Sequence, residues 1–258
     1  MLNKIFAIAL LLGVAAFANV NAKFGANAAF TIGSTWGENN DKFHNSWGPG
    51  FSGGANAKFE LNSSVSIITG LNFEYRSIPS YFMSEGLIDI IKNAARRELG
   101  RDVSTDEIRR EIGSEYYDML FDIDVSFSFK YLDIPLLVRY NVNPQFFVEG
   151  GISVGFNLNA DMSASNGSNS RTIEFPSKCQ NAVEFGAVAG LGYSVLPNLD
   201  INFRFNLGFT DMVKGRESLT YFFTEEVGGD AEIFANYLES SYGFKNMRFQ
   251  MGLTFWFN

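Results

Sequence analysis

The sequence predicts an all-β chain folded as an eight-stranded antiparallel up-and-down barrel that crosses a membrane with its strands. Three observations lead there: an export leader at the amino end, eight runs of alternating apolar and polar residues, and connections that are short and long by turns.

Lys4 is the only charge ahead of Ile5 to Ala18, a run made of apolar residues and Gly13. A positive end, a short apolar core and small residues before a cut describe a secretory signal peptide. The triplet Val20-Asn21-Ala22 puts the cut after Ala22. The run is shorter than the roughly 20 residues of a spanning helix, and no lipobox cysteine follows it. The expected organisation is a leader over 1–22 and a barrel over 23–258, with a helical insertion at 77–120. Export places the chain in the bacterial outer membrane.

Composition agrees. Of 258 residues, 16% are aromatic and 27 are Phe, and no later apolar stretch is long enough for a helical span. Cys179 is the single cysteine, so no disulfide forms within the chain. The net charge of −8 becomes −9 once Lys4 leaves with the leader. An acidic surface excludes nucleic acid as a partner, because phosphates demand a basic one.

Strands point successive side chains to opposite faces, so a half-buried strand alternates with period two. The first run sets Phe24, Ala26, Ala28, Phe30, Ile32 and Trp36 against Gly25, Asn27, Thr31 and Gly33. The second sets Phe51, Ala55, Ala57, Phe59 and Leu61 against Ser52, Asn56, Lys58 and Glu60. The third sets Val65, Ile67, Leu71, Phe73 and Tyr75 against Ser66, Asn72, Glu74 and Arg76, with Ile68 an exception. The fourth opens with Phe121, Ile123, Val125, Phe127, Phe129 and Tyr131 on one face, and Asp122, Asp124, Ser126, Ser128 and Lys130 on the other. Its apolar parity then changes to Ile134, Leu136, Val138 and Tyr140, which predicts a β-bulge around Leu132 and Asp133. The fifth, sixth and seventh runs cover 146–158, 183–195 and 199–210, and the last covers 247–257.

The polar face is rich in Gly, Ser and Asn, which suits a narrow interior. The apolar face carries almost no charge and ends in Trp36, Tyr75, Tyr140 and Phe257, as interfacial girdles do. A soluble lipocalin-like barrel would reverse these faces. Each run also has the roughly 10 residues of a tilted spanning strand. The connections 62–64, 141–145 and 197–198 are short, and those after runs one, three, five and seven are long. Short periplasmic turns and long outer loops are the rule for such barrels.

The stretch Tyr131-Leu132-Asp133-Ile134-Pro135-Leu136-Leu137-Val138-Arg139-Tyr140 resembles the YLxIPLLxxY signature of small bacterial outer-membrane barrels related to PorT. Phe147-Val148-Glu149-Gly150-Gly151 with Gly155 is similar to their next strand. So are Gly190-Leu191-Gly192-Tyr193, Phe205 to Thr210, and the closing Phe249 to Leu253. The resemblance, which extends to eight-stranded barrels of the OmpA and OmpX kind, implies location and fold. Roles within such barrels vary.

Eight strands leave an interior that side chains fill. The inward face is expected to hold Lys58, Arg76, Lys130, Arg139, Arg204 and Arg248 against Glu60, Glu74, Asp124, Asp133, Glu149, Glu184 and Asp200. Six cations facing seven anions predict a structural ion network that plugs the lumen. An acid/base pair for catalysis is the competing reading, disfavoured because the charges are spread over many strands.

Activity then falls to the loops. In the second, Leu87, Ile88, Ile91, Ala95 and Leu99 recur at helical spacing, and Ser104 with Glu107 is a capping-box signature before a second helix. In the third, Ser163 to Ser170 reads as a flexible tip. The fourth, 212–243, is acidic, but its spacing fits no calcium loop. Leu219 to Val227 leaves ten strands as a minority alternative. Lipid-modifying barrels use a His with a Ser or acidic partner. The sole histidine, His44, has Asp41 and Ser46 nearby, which is no evidence of a triad. No catalytic residue, cofactor or metal is assigned. The expected function is a non-catalytic surface barrel, structural or binding. Its expected partners are outer-membrane lipids and an extracellular or envelope protein engaged through 77–120 and 212–243. Porin-like transport and a secretion-accessory role are the alternatives, ahead of a lipid-modifying enzyme.

Overall fold

A computed structural model describes residues 21–37, 46–80, 92–93, 96, 100–112, 124–166, 169–214 and 245–257. Among the described residues, nine strands form one antiparallel sheet: β1 (Asn21–Trp36), β2 (Gly48–Glu60), β3 (Val65–Ser80), β4 (Asp124–Asn141), β5 (Phe146–Asn166), β6 (Asn169–Glu174), β7 (Val183–Leu196), β8 (Leu199–Asp211) and β9 (Lys245–Trp256). Their order is β4-β3-β2-β1-β9-β8-β7-β5-β6, and a further β4–β5 pairing closes the ring. Eight strands therefore make the barrel wall. β6 is a short addition folded back on the outer end of β5, from Asp161↔Glu174 to Asn166↔Asn169.

The eight alternating runs of the sequence are these eight strands. Closure removes the free edges that lipid would leave unsatisfied, which is why a membrane admits barrels but not open sheets. The apolar set points out: Phe24, Phe30, Phe51, Leu71, Leu136, Val138, Phe203, Met251 and Leu253 are all exposed. The polar set of the same strands is buried inside.

The turns at one end are tight for a local reason. Asn62 Oδ1 accepts from the amides of Ser64 and Val65, each at 2.8 Å. Asn143 Oδ1 does the same for Gln145 (2.9 Å) and Phe146 (2.7 Å). In both, a side chain satisfies amides that the ladder has released.

Two details of the strands correct the sequence reading. The bulge lies one strand over, in β5 rather than at Leu132–Asp133: the β4–β5 register slips between Lys130 and Tyr131, leaving Leu158 unmatched. β4 keeps one parity throughout, with Phe129, Tyr131, Asp133, Leu137 and Arg139 all buried. Phe129 and Tyr131 thus point into the barrel, not toward lipid. The physical reason lies in their partners: outside, Lys130 pairs with Asp161 and Ser128 meets the Tyr75 hydroxyl, while inside Phe129 and Tyr131 pack in an apolar cluster.

The third outer loop is also more ordered than its Ser, Asn and Gly content suggests, since β5 and β6 extend a hairpin through most of 163–170. Beyond it, Phe175 and Cys179 join Ile78, Phe129, Tyr131, Ala160, Met162, Met212 and Val213 in a buried apolar cluster. These come from the outer ends of β3, β4 and β5 and from the segments after β6 and β8, so the cluster gathers at that end of the barrel.

Of the insertion at 77–120, β3 takes residues up to Ser80. Residues 92, 93 and 96 are helical, and α1 spans Thr105–Ile112. The Ser104 hydroxyl accepts the Glu107 amide at 3.2 Å, as a capping residue should. The Glu107 carboxylate accepts from Arg101 and also reaches back to the Ser104 backbone amide. Arg96 donates to Asp102 ahead of the helix. Residues 1–20, His44 and Asp41, and 215–244 with the Leu219–Val227 segment lie outside the described residues.

Candidate functional site in the barrel lumen

Alternation sends every second residue inward, and the closed wall brings residues distant in sequence within bonding reach. Two charged clusters result. In the periplasmic half, Arg139 of β4 donates from Nε (2.9 Å) and Nη2 (2.8 Å) to Glu149 Oε1 of β5. Its Nη1 donates to Asp200 Oδ2 of β8 at 2.6 Å. Arg204 Nε reaches the other Glu149 oxygen at 2.7 Å. Asp200 also accepts from the Trp256 indole and the Ser194 hydroxyl, both at 2.7 Å. The Arg139 guanidinium lies 3.6 Å from the centre of the Phe147 ring, a cation–π contact out of bulk water.

The outer cluster is built likewise. Arg76 Nη1 forks onto Glu184 at 3.0 and 2.8 Å, and its Nη2 donates to Glu74 Oε2 at 2.9 Å. Arg248 Nε lies 2.7 Å from Glu74 Oε1, a close ion pair without hydrogen-bond alignment. The remaining Arg248 nitrogens sit 3.7 Å from Glu184 and 3.8 Å from Asp133. Tyr131 covers the Arg76 guanidinium at 4.2 Å.

Nine of the thirteen residues named from the sequence therefore meet inside: Glu74, Arg76, Asp133, Arg139, Glu149, Glu184, Asp200, Arg204 and Arg248, all buried. Lys58 and Glu60 stand at the periplasmic rim, 3.4 Å apart, with Lys23 at 2.9 Å from Glu60. Lys58 also lies 4.9 Å from the Trp256 ring centre. Lys130 is not with them. It lies on the outward face of β4 and pairs with Asp161 of β5 at 3.1 Å, because the inward parity of β4 is odd. Asp124 opens β4 opposite Ser165.

Sequence reasoning missed the groups that hold the charges in place. Trp256 and Phe147 sit at inward positions of their strands, and parity alone could have found them. Asp161 was hidden by the slip at Leu158, which no local signal announces.

Chemically, these contacts pair and orient charge. Each buried guanidinium lies against carboxylates, as burial requires. Among the described residues, no group of three or more His, Cys, Asp or Glu could hold a metal ion.

Comparison with known proteins gives the chain its family. The family model described as "Outer membrane protein beta-barrel domain" matches residues 15–214. No curated protein matches the chain. Solved structures similar to it include Ail, the attachment invasion locus protein of Yersinia pestis, at 10% identity and TM-score 0.43, covering 92% of this chain and 99% of that one. Neisserial surface protein A gives the same four values. A major outer membrane protein from Thermus thermophilus is similar at 12% identity and TM-score 0.44, covering 92% of this chain and 100% of that one. With the family model spanning most of the closed wall, the chain belongs to the outer membrane β-barrel family and resides in the bacterial outer membrane, its apolar face against lipid.

Proposed function

We propose that the protein is a non-catalytic outer-membrane barrel with a lumen closed to solutes, acting through its outer loops on an extracellular or envelope protein. The observation that carries this reading is the filling of the interior. Interlocked Arg–carboxylate pairs occupy the middle, and Phe129, Tyr131, Phe175 and Met212 gather at the outer end. A barrel of eight strands has little other room. With the inside occupied, the surfaces left for recognition are the long outer connections, 77–120 and 212–243 among them. Engagement of the lumen carboxylates by guanidinium groups supports the non-catalytic reading, since a general acid or base needs a free path to substrate. Residues 1–22 serve as the cleaved leader, so the mature chain starts at Lys23 and its β1 begins two residues after Asn21.

Two measurements test this. Purified protein in a planar bilayer should give no steady conductance; stable openings would instead establish a transport role. Pull-down from envelope extracts with the detergent-folded barrel should retain a partner that deletion of 81–120 or 215–243 releases. Retention by both deletions would sink the loop assignment.

A further inference from the structure

Between the two charged clusters lies a cavity of about 10 Å³. Its wall joins Glu74, Asp133 and Arg248 of the outer cluster to Arg204 of the periplasmic one, with Asn206 beside them. Four atoms of these residues make no hydrogen bond; Glu74 Oε1 and Arg248 Nε face each other at 2.7 Å, which leaves two, in residues more than nine-tenths buried: Asp133 Oδ1, 3.8 Å from Arg248 Nη2, and Asn206 Nδ2. The first can only accept when ionised, and the second can only donate. Leaving such groups bare is costly, so native interiors supply a partner.

The wall decides what kind of partner. Two carboxylates and two guanidiniums line it, so its formal charge is balanced. A cation entering would meet Arg204 and Arg248; an anion would meet Glu74 and Asp133. A small neutral dipole meets neither objection. It must donate on one side and accept on the other, and the space is close to the ~10–15 Å³ that one ordered water needs.

We propose that a single structural water is bound here, donating to Asp133 Oδ1 and accepting from Asn206 Nδ2. It occupies the space between the two clusters, with Glu74 and Arg248 on one side and Arg204 on the other. The site rests on the closed-lumen reading, because in an open channel the same atoms would face bulk solvent.

The test is a crystal structure of the detergent-folded protein grown with rubidium chloride, with anomalous data at the rubidium edge. The expected result is one isolated peak within about 3.2 Å of both atoms, without anomalous signal. An anomalous peak there makes it a cation site and overturns the proposal. So does direct contact between Asp133 and Asn206 with nothing between. A continuous column of solvent through the lumen overturns the closed-lumen reading as well, which separates the two failures. In Asn206→Leu the peak should vanish while the Arg139–Glu149 and Arg76–Glu184 contacts stay; a peak that persists in place overturns the assignment of Asn206.

Discussion

Removing Glu149 is the sharpest perturbation of the lumen. Its side chain is fully buried and receives three hydrogen bonds from two guanidiniums. In Glu149→Ala, Arg139 keeps Asp200 and the Phe147 ring, but Arg204 loses the one carboxylate its Nε reaches. Breaking a buried pair from one side costs about 3–5 kcal/mol, because the remaining charge is stranded. At about 1.4 kcal/mol per decade, the unfolding constant should rise by two to more than three decades. Reversible urea unfolding of the barrel in lipid vesicles reads this directly. Lys130→Ala is the matched control: its pair with Asp161 is partly exposed on the outer wall and should cost no more than about 1 kcal/mol. Replacing the whole network, Arg139→Met, Glu149→Leu and Arg204→Met together with Asp200→Asn, should recover much of the loss, since Asp200 would otherwise lose its guanidinium and no charge of the cluster is then left behind. A Glu149→Ala cost below about 1 kcal/mol, or one equal to the Lys130 control, would refute this account of the lumen.

Three further outcomes follow from the geometry. Gly192 faces inward, where a Cβ would collide with the Phe147 ring, so Gly192→Ala should cost about 1–3 kcal/mol by overpacking. Gly150→Ala, whose Cβ meets nothing nearer than 4.0 Å, should be close to neutral in the same unfolding assay. Nitroxide labels at Phe203 and Met251 should be accessible to oxygen dissolved in lipid, and one at Asn202 should be shielded; the reverse pattern would mean the faces are inverted. At α1, the hydrogen bond from Arg101 holds the Glu107 carboxyl below its usual value of 4.5. A depressed carboxyl stabilises the helix start in full above that value and loses the contribution as pH falls through the lowered one. The protection factors of the Glu107 and Ile108 amides, which remove the intrinsic pH dependence of exchange, should therefore fall more on acidification below pH 4.5 in the wild type than in Arg101→Ala.

How much of this was legible beforehand depends on which solvent each residue meets. Along β1, β2 and β7–β9 the outside is lipid and the inside is polar, so hydropathy and orientation are one signal, and both strands and faces could be read. At the outer half of β4 that equivalence fails. Phe129 and Tyr131 are apolar and inside, while Ser128 and Lys130 are polar and outside, where Tyr75 and Asp161 meet them. The sequence did hold the clue. Leu132, Ile134, Leu136, Val138 and Tyr140 form one unbroken outward row about as long as a hydrocarbon crossing, so no change of face was needed. The ion network was readable as a set of inward charges but not as two clusters, since which arginine meets which glutamate depends on strand tilt and register. Trp256 as a partner for Asp200 needed the closed ring itself.

The outward pair of Lys130 and Asp161 has a consequence for how the molecule rests in its bilayer. With the Asn159 amide on Asp161 at 3.2 Å and the Tyr75 hydroxyl 3.0 Å from Ser128 Oγ, it forms a hydrophilic collar on the exterior of β3–β5. A lysine dragged to mid-hydrocarbon costs about 2–4 kcal/mol, against nearly nothing at the interface. Sinking the barrel by even one residue pair brings this collar under oil, and lifting it strips lipid from Leu132 and Ile134. The collar is thus a waterline, fixing immersion depth on this flank and keeping the β5–β6 hairpin above the surface.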